Sequence, residues 1–192
     1  VRGVGMWARD LGAGGARPGG AVVTTTMANL GLRRAMAAAG VEVRWTDVGE
    51  RYVLEEMGRG GYGLGGERSG HLISLAQGRS GDGLAAALHL LRALAARRED
   101  LATAGRVMER LPQRLVNVRA ERKSDLPDAD EVWEAVREAE AALGDDGRVV
   151  VRASGTEPLV RVMVEAPTVD DCERWCGSIV EIVERELGGA RR

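Results

Sequence analysis

Phenylalanine is missing from this chain of 192 residues, and Tyr and Trp together bring aromatics to only 3%. A core must therefore come from Val, Leu, Ala, Met and a few Trp. Lysine is nearly missing too: Lys123 is the single one among 27 basic residues. The arginines that replace it are interleaved with acids along helical stretches, and the net charge is −2. That pattern reads as solvated helix faces; it argues against a nucleic-acid partner and implies no strong electrostatic partner of any kind. No apolar run approaches the ~18 residues of a membrane span, and the first residues lack the positive-then-apolar order of a secretory leader, so no membrane partner and a cytoplasmic location are expected. Cysteine is confined to Cys172 and Cys176, one helical turn apart around Trp175 among Val169, Ile179, Ile182 and Val183. Packed, reduced thiols are the expectation, since no further metal ligands sit nearby.

The length suits one or two domains with a real core. Residues 1–20 hold seven glycines and no long period, which predicts a poorly ordered lead-in. From Ala21 the pattern predicts an apolar strand start, a helix over 27–39 closed by Gly40, a strand over 41–46 and a helix over 51–57. A glycine-rich crossing, a strand over 71–75, a helix over 82–97 and a helix over 99–111 stopped by Pro112 follow. This alternation predicts an α/β domain with a mostly parallel sheet over 21–111. Residues 112–192 read as strand 113–122, helix 130–143, strand 148–153, strand 159–165 and helix 169–187. That order predicts a small α+β domain, antiparallel sheet on one side and two helices on the other.

Two glycine-bearing turns carry the chemistry. Residues 152–161, RASGTEPLVR, set Arg152 and Arg161 at the edges of a loop with Ser154, Gly155 and Thr156. Planar guanidinium forks, hydroxyl donors and an approachable backbone suit a phosphate; the alternative is a plain hairpin connection with arginines on its wet face. Residues 65–71, GGERSGH, place Glu67, Ser69 and His71 at every other position, which an extended segment would point to one side,. Glu67 can accept two hydroxyl protons, as a carboxylate holding a sugar diol does. His89, inside a helix, reads as structural.

Together these loops resemble the α-D-phosphohexomutases, and within them the bacterial phosphoglucosamine mutases, whose sugar loop reads G-E-x-S-G-H and whose phosphate loop reads R-x-S-G-T-E-P. The resemblance continues through AVVTTTMANLGL at 21–32, DVGERYVLEEM at 47–57, SGDGL at 80–84 and VMERLPQRLVNVR at 107–119. It implies a four-domain parent whose first domain carries a phosphoserine and whose second carries an Asp-rich Mg²⁺ loop. This chain then corresponds to part of the third domain, without its opening strand and helix, and to all of the fourth, a TATA-box-binding-protein-like α+β unit expected to be the better ordered half. Neither D-G-D-x-D-R nor the nucleophile serine motif occurs here.

The resemblance assigns Glu67 and Ser69 to the sugar and Arg152, Ser154, Gly155, Thr156 and Arg161 to the phosphate, with His71 near the substrate as a proton-transfer candidate. Gly49 and Arg51 either border the sugar or serve only as a helix start and a surface charge. Glu50 stands where the family has Asp, and Arg68 where it commonly has Gln. SGDGL matches a family helix start rather than the metal loop. The implied function is interconversion of glucosamine 6-phosphate and glucosamine 1-phosphate through a phosphoserine and a bisphosphate intermediate, an isomerase reaction in which Mg²⁺ belongs to the parent and not to this chain. The missing N-terminal domains are then partners, and the isolated chain is expected to be inactive. A phosphomannose or phosphoglucose mutase, or a non-catalytic phosphosugar-binding remnant, remains the alternative.

Overall fold

A computed structural model describes residues 2–13 and 20–188 and divides the chain into two units, Val1–Arg110 and Leu111–Arg192. The first opens with helix α1, Arg2–Ala13, where the glycine count predicts a disordered lead-in. Val4, Trp7 and Ala8, spaced i, i+3, i+4, are buried on one face of α1, and that apolar face rather than propensity holds the helix,. Two of its glycines are contact points: a Cβ on Gly3 would meet Leu72 at 3.0 Å, and one on Gly5 would meet Val107 at 3.2 Å. Residue 1 and residues 14–19 of the expected lead-in lie outside the described residues.

Strand β1, Ala21–Thr25, is buried at every position. It is flanked in parallel by β2, Glu42–Thr46, and by β3, Leu64–Gly66, and β3 pairs antiparallel with β4, Leu72–Ser74, giving the order β2-β1-β3-β4. Helices α2, Leu30–Ala38, and α3, Glu50–Gly60, follow β1 and β2. Adjacent residues of β1 enter different clusters: Val22 joins Val4, Trp7, Leu32 and Met36, whereas Val23 joins Val53, Met57 and Ile73. Successive strand side chains point to opposite faces, so α1 and α2 cover one side of the sheet and α3 the other.

The glycine-rich crossing contains a strand that the pattern does not predict. A Cβ on Gly65 would lie 2.6 Å from Met57 Sδ and 2.7 Å from Val53, and one on Gly66 would lie 2.7 Å from Val4 and from the His71 carbonyl. The glycines of β3 are there so that helices can approach both faces. Helix α4, Gly83–Arg97, is capped by Asp82, whose carboxylate accepts from the Ala85 amide. The helix predicted over 99–111 is much shorter: α5 spans Leu101–Ala104, a single 3₁₀ turn covers Gly105–Val107, and Met108 is extended. Leu101 points outward, 58% exposed, so the apolar period that suggests a longer helix is not a buried stripe.

In the second unit, β5, Gln113–Arg119, leads through a 3₁₀ helix, Lys123–Asp128, to α6, Asp130–Leu143; β6, Arg148–Ala153, and β7, Leu159–Glu165, form a hairpin, and α7, Val169–Leu187, closes the unit. The sheet is antiparallel with β7 central, in the order β5-β7-β6. Val118, Val149, Val160, Val162 and Val164 form one core with Val132, Val136, Ile179, Val180 and Val183 of the two helices. Cys172 and Cys176 are free thiols inside that core. Burial pushes the Cys172 thiol above its usual value,. Among the described residues no helix is long and apolar enough to cross a membrane.

Candidate functional site

In the first unit the turns after β1, β2 and β3 gather at the carboxyl edge of the parallel strands, the place where open α/β sheets bind ligands. Asn29 closes the first turn by capping α2, its Oδ1 accepting from the Gly31 amide at 3.1 Å. Glu67 stands at the end of β3, only 7% exposed. Its Oε1 accepts from the Gly49 amide at 2.9 Å and its Oε2 from the Ser69 hydroxyl at 3.1 Å, with His71 Nδ1 3.6 Å away. Gly49 is the N-cap of α3, so the carboxylate also faces the positive end of that helix,. A buried carboxylate is tolerable only with such partners. The Ser69 hydroxyl lies 2.9 Å from His71 Nδ1, which completes a chain from Glu67 to the half-exposed imidazole.

Glu67, Ser69 and His71 do converge, though by a tight turn rather than the strand alternation expected. The Glu67 amide donates to the His71 carbonyl at 2.9 Å, the Gly70 amide to the Glu67 carbonyl at 3.3 Å, and Gly70 sits at φ 107°, which favours glycine,. Arg51 does not join them: it is 77% exposed, pairs with Glu55 at 2.9 Å along α3 and lies over the Tyr52 ring. Sequence reasoning marks Glu50 only as a replacement for the family's Asp and misses its contact: its Oε1 accepts from the Gly81 amide at 2.7 Å and ties the start of α3 to the loop before α4. His89 is in the interior, its ring 4.3 Å from that of Trp7 and its Nδ1 3.3 Å from Gln77 Nε2. Asp82 is engaged as a cap, and among the described residues no group of three His, Cys, Asp or Glu could hold a metal ion.

In the second unit, Arg152 and Arg161 are direct partners in the β6–β7 register, and Asn117 is the partner of Arg161 on β5. All three lie on the sheet face away from α6 and α7, since the alternating valines take the other face,. Like charges directly opposite across a strand pair are destabilising without an anion between them. Glu157 offsets the charge of one of them, its carboxylate accepting from Arg161 Nη2 at 3.0 Å. The loop between the strands, Ser154–Pro158, is folded on itself. Ser154 is buried, its amide donates to the Leu159 carbonyl at 2.8 Å, and its hydroxyl accepts from the Glu157 amide at 3.3 Å. The amides of Gly155 and Thr156 have no hydrogen-bond partner among the described residues, and a Cβ on Gly155 would meet nothing within 4 Å. Gly155 therefore serves open approach, and its φ is not positive. A second contact missed from sequence is Lys123, whose Nζ donates to the Ser154 and Glu157 carbonyls, each at 2.7 Å.

Two family descriptions match the chain: phosphoglucomutase/phosphomannomutase alpha/beta/alpha domain III over residues 3–114, and the phosphoglucomutase/phosphomannomutase C-terminal domain over 115–182. The expected lead-in thus lies mostly within the domain III match, which takes in α1 from its second residue onward. The phosphoglucosamine mutase of Nocardioides sp. is 51% identical over 166 residues, which is 86% of this chain and 37% of that protein. That of Symbiobacterium thermophilum is 46% identical over 180 residues, 94% of this chain and 40% of that one. The chain therefore spans about two fifths of the length of these relatives. Among solved structures, Aspergillus fumigatus N-acetylphosphoglucosamine mutase in complex with GlcNAc-6P and magnesium covers 97% of this chain with 43% of its own length, at a TM-score of 0.83 and 20% identity. The chain belongs to the phosphoglucomutase/phosphomannomutase family and carries its domain III and its C-terminal domain.

Proposed function

We propose that the two loops are the sugar-recognition and phosphate-recognition parts of a phosphoglucosamine mutase, the parent enzyme interconverting glucosamine 6-phosphate and glucosamine 1-phosphate. Glu67 and Ser69, held at the start of α3 through Gly49, receive sugar hydroxyls, and His71 stands beside them as the proton-transfer candidate. Arg152, Arg161, the Ser154 and Thr156 side chains and the Gly155 backbone receive the phosphate that does not react. The strongest support is the hairpin: two guanidiniums set opposite each other beside a loop whose Gly155 and Thr156 amides have no partner among the described residues make a donor set that suits a phosphate dianion,. Phosphoryl transfer depends on positioning and charge stabilisation. The metal and the phosphoserine belong to parts of the parent other than these two domains, so these 192 residues bind substrate without turning it over.

Titrating the chain with glucosamine 6-phosphate tests the binding half. Saturable perturbation of the Gly155 and Thr156 amides, and of Ser69, is the expected result; no binding at millimolar ligand overturns the reading. A coupled assay of the same chain should give no conversion above background. Mannose 6-phosphate and glucose 6-phosphate, run in parallel, decide the sugar: equal affinity for all three overturns the glucosamine assignment.

A further inference from the structure

One side chain from outside the hairpin holds two carbonyls of the phosphate loop, and the geometry points to Lys123 as its positioning residue. The inference rests on the function proposed above and goes beyond it, since Lys123 belongs to neither strand of the hairpin. Its ammonium donates to two carbonyls of the same five-residue loop, Ser154 O and Glu157 O, each at 2.7 Å. Every other basic residue of the chain is arginine. A compact ammonium with three divergent donors can sit between two carbonyls of one tight loop, whereas a planar guanidinium cannot converge on both in the same way.

The contact decides where the loop's amides point. In a trans peptide the carbonyl and the following N–H face opposite ways, and the chain has no cis peptide,. With the Ser154 carbonyl turned onto Lys123, the Gly155 N–H is directed to the far side of the loop. Glu157 is fixed at both ends, its carbonyl on Lys123 and its amide on the Ser154 hydroxyl. Gly155 and Thr156 are left as the open amides. Lys123 is itself anchored: the Glu121 and Arg122 amides donate to the Gly188 and Leu187 carbonyls, the Arg122 side chain to the Glu186 carbonyl, and the Ala120 amide to the Pro158 carbonyl. The lysine thus transmits the placement of the α7 end to the phosphate loop, touching the loop's backbone rather than the ligand.

Lys123→Met tests this in the full chain with two readouts. Amide hydrogen exchange at Glu157 is expected to quicken at least tenfold, and affinity for glucosamine 6-phosphate to fall at least tenfold, while exchange in the core of α7 stays as in the parent. Lys123→Arg, which keeps the charge, is expected to recover part of the affinity and part of the protection. Unchanged Glu157 exchange in Lys123→Met overturns the proposal, as does unchanged affinity. If the unsubstituted chain fails to bind the phosphosugar, the functional reading falls and exchange alone judges the clamp. Should Lys123→Met not fold, Lys123→Gln, neutral but still a donor, is read by the same criteria.

Discussion

Arg161 has more to do than its neighbours in the hairpin, with Arg152 on one side, Asn117 on the other and Glu157 above. Charge-assisted bonds of this kind contribute about 1.5–3 kcal/mol each, so Arg161→Met should weaken glucosamine 6-phosphate binding by roughly 10- to 100-fold, measured by calorimetry. Stability should change little, because the substitution also removes the repulsion with Arg152. Cys172 gives a separate, pH-dependent prediction. Burial raises its folded value, so the unfolded chain ionises first, near ~8.5, and between that pH and the higher folded value the unfolded state holds fewer protons,. Stability is therefore fully present below about pH 8.5 and declines as pH rises beyond it. Urea midpoints at pH 7 and pH 10 should differ more in the parent than in Cys172→Val, and equal differences would remove the thiol from the account.

At the scale of elements, β3 is where glycine does structural work. Gly66→Ala would put a methyl 2.7 Å from the His71 carbonyl and from Val4, and β3 cannot move without carrying Glu67 with it. Overpacking of this kind costs about 1–3 kcal/mol. The expected outcome is a lower melting temperature together with loss of the Ser69 shift on sugar binding, while Gly155 still responds to phosphate. The elements that were legible beforehand have their own stop signals. Helix α6 and strands β6 and β7 fall on their predicted bounds because Gly144, the GDDG turn and Pro158 separate them, and Thr168 opens α7 by accepting from the Asp171 amide. Two of those that were misread, α1 and β3, are rich in glycine, and a glycine that permits close approach looks the same in sequence as one that permits disorder. The site divides in the same way. Glu67, Ser69 and His71 lie within one short turn and could be grouped by spacing, whereas Lys123 and Ser154 are 31 residues apart, as are Glu50 and Gly81.

For the whole molecule, each unit has a core of its own. The cluster built on Val118, Val162, Ile179 and their neighbours draws only on residues from 116 to 187, so residues 111–192 expressed alone should unfold in one cooperative transition by circular dichroism. A non-cooperative melt would mean that this core is insufficient. The overall charge of −2 gives no general attraction for a phosphosugar, so recognition of the anion must be local. There the Glu157 carboxylate has a second consequence. On the proposed function it would act as a resident competitor, holding Arg161 when substrate is away and returning as substrate departs, so that the same side chain that quiets the empty hairpin would also hasten release of its occupant. Glu157→Gln should accordingly retain its ligand longer and leave the unliganded hairpin less stable, two opposite effects of a single lost charge that dissociation rates and melting curves would register separately.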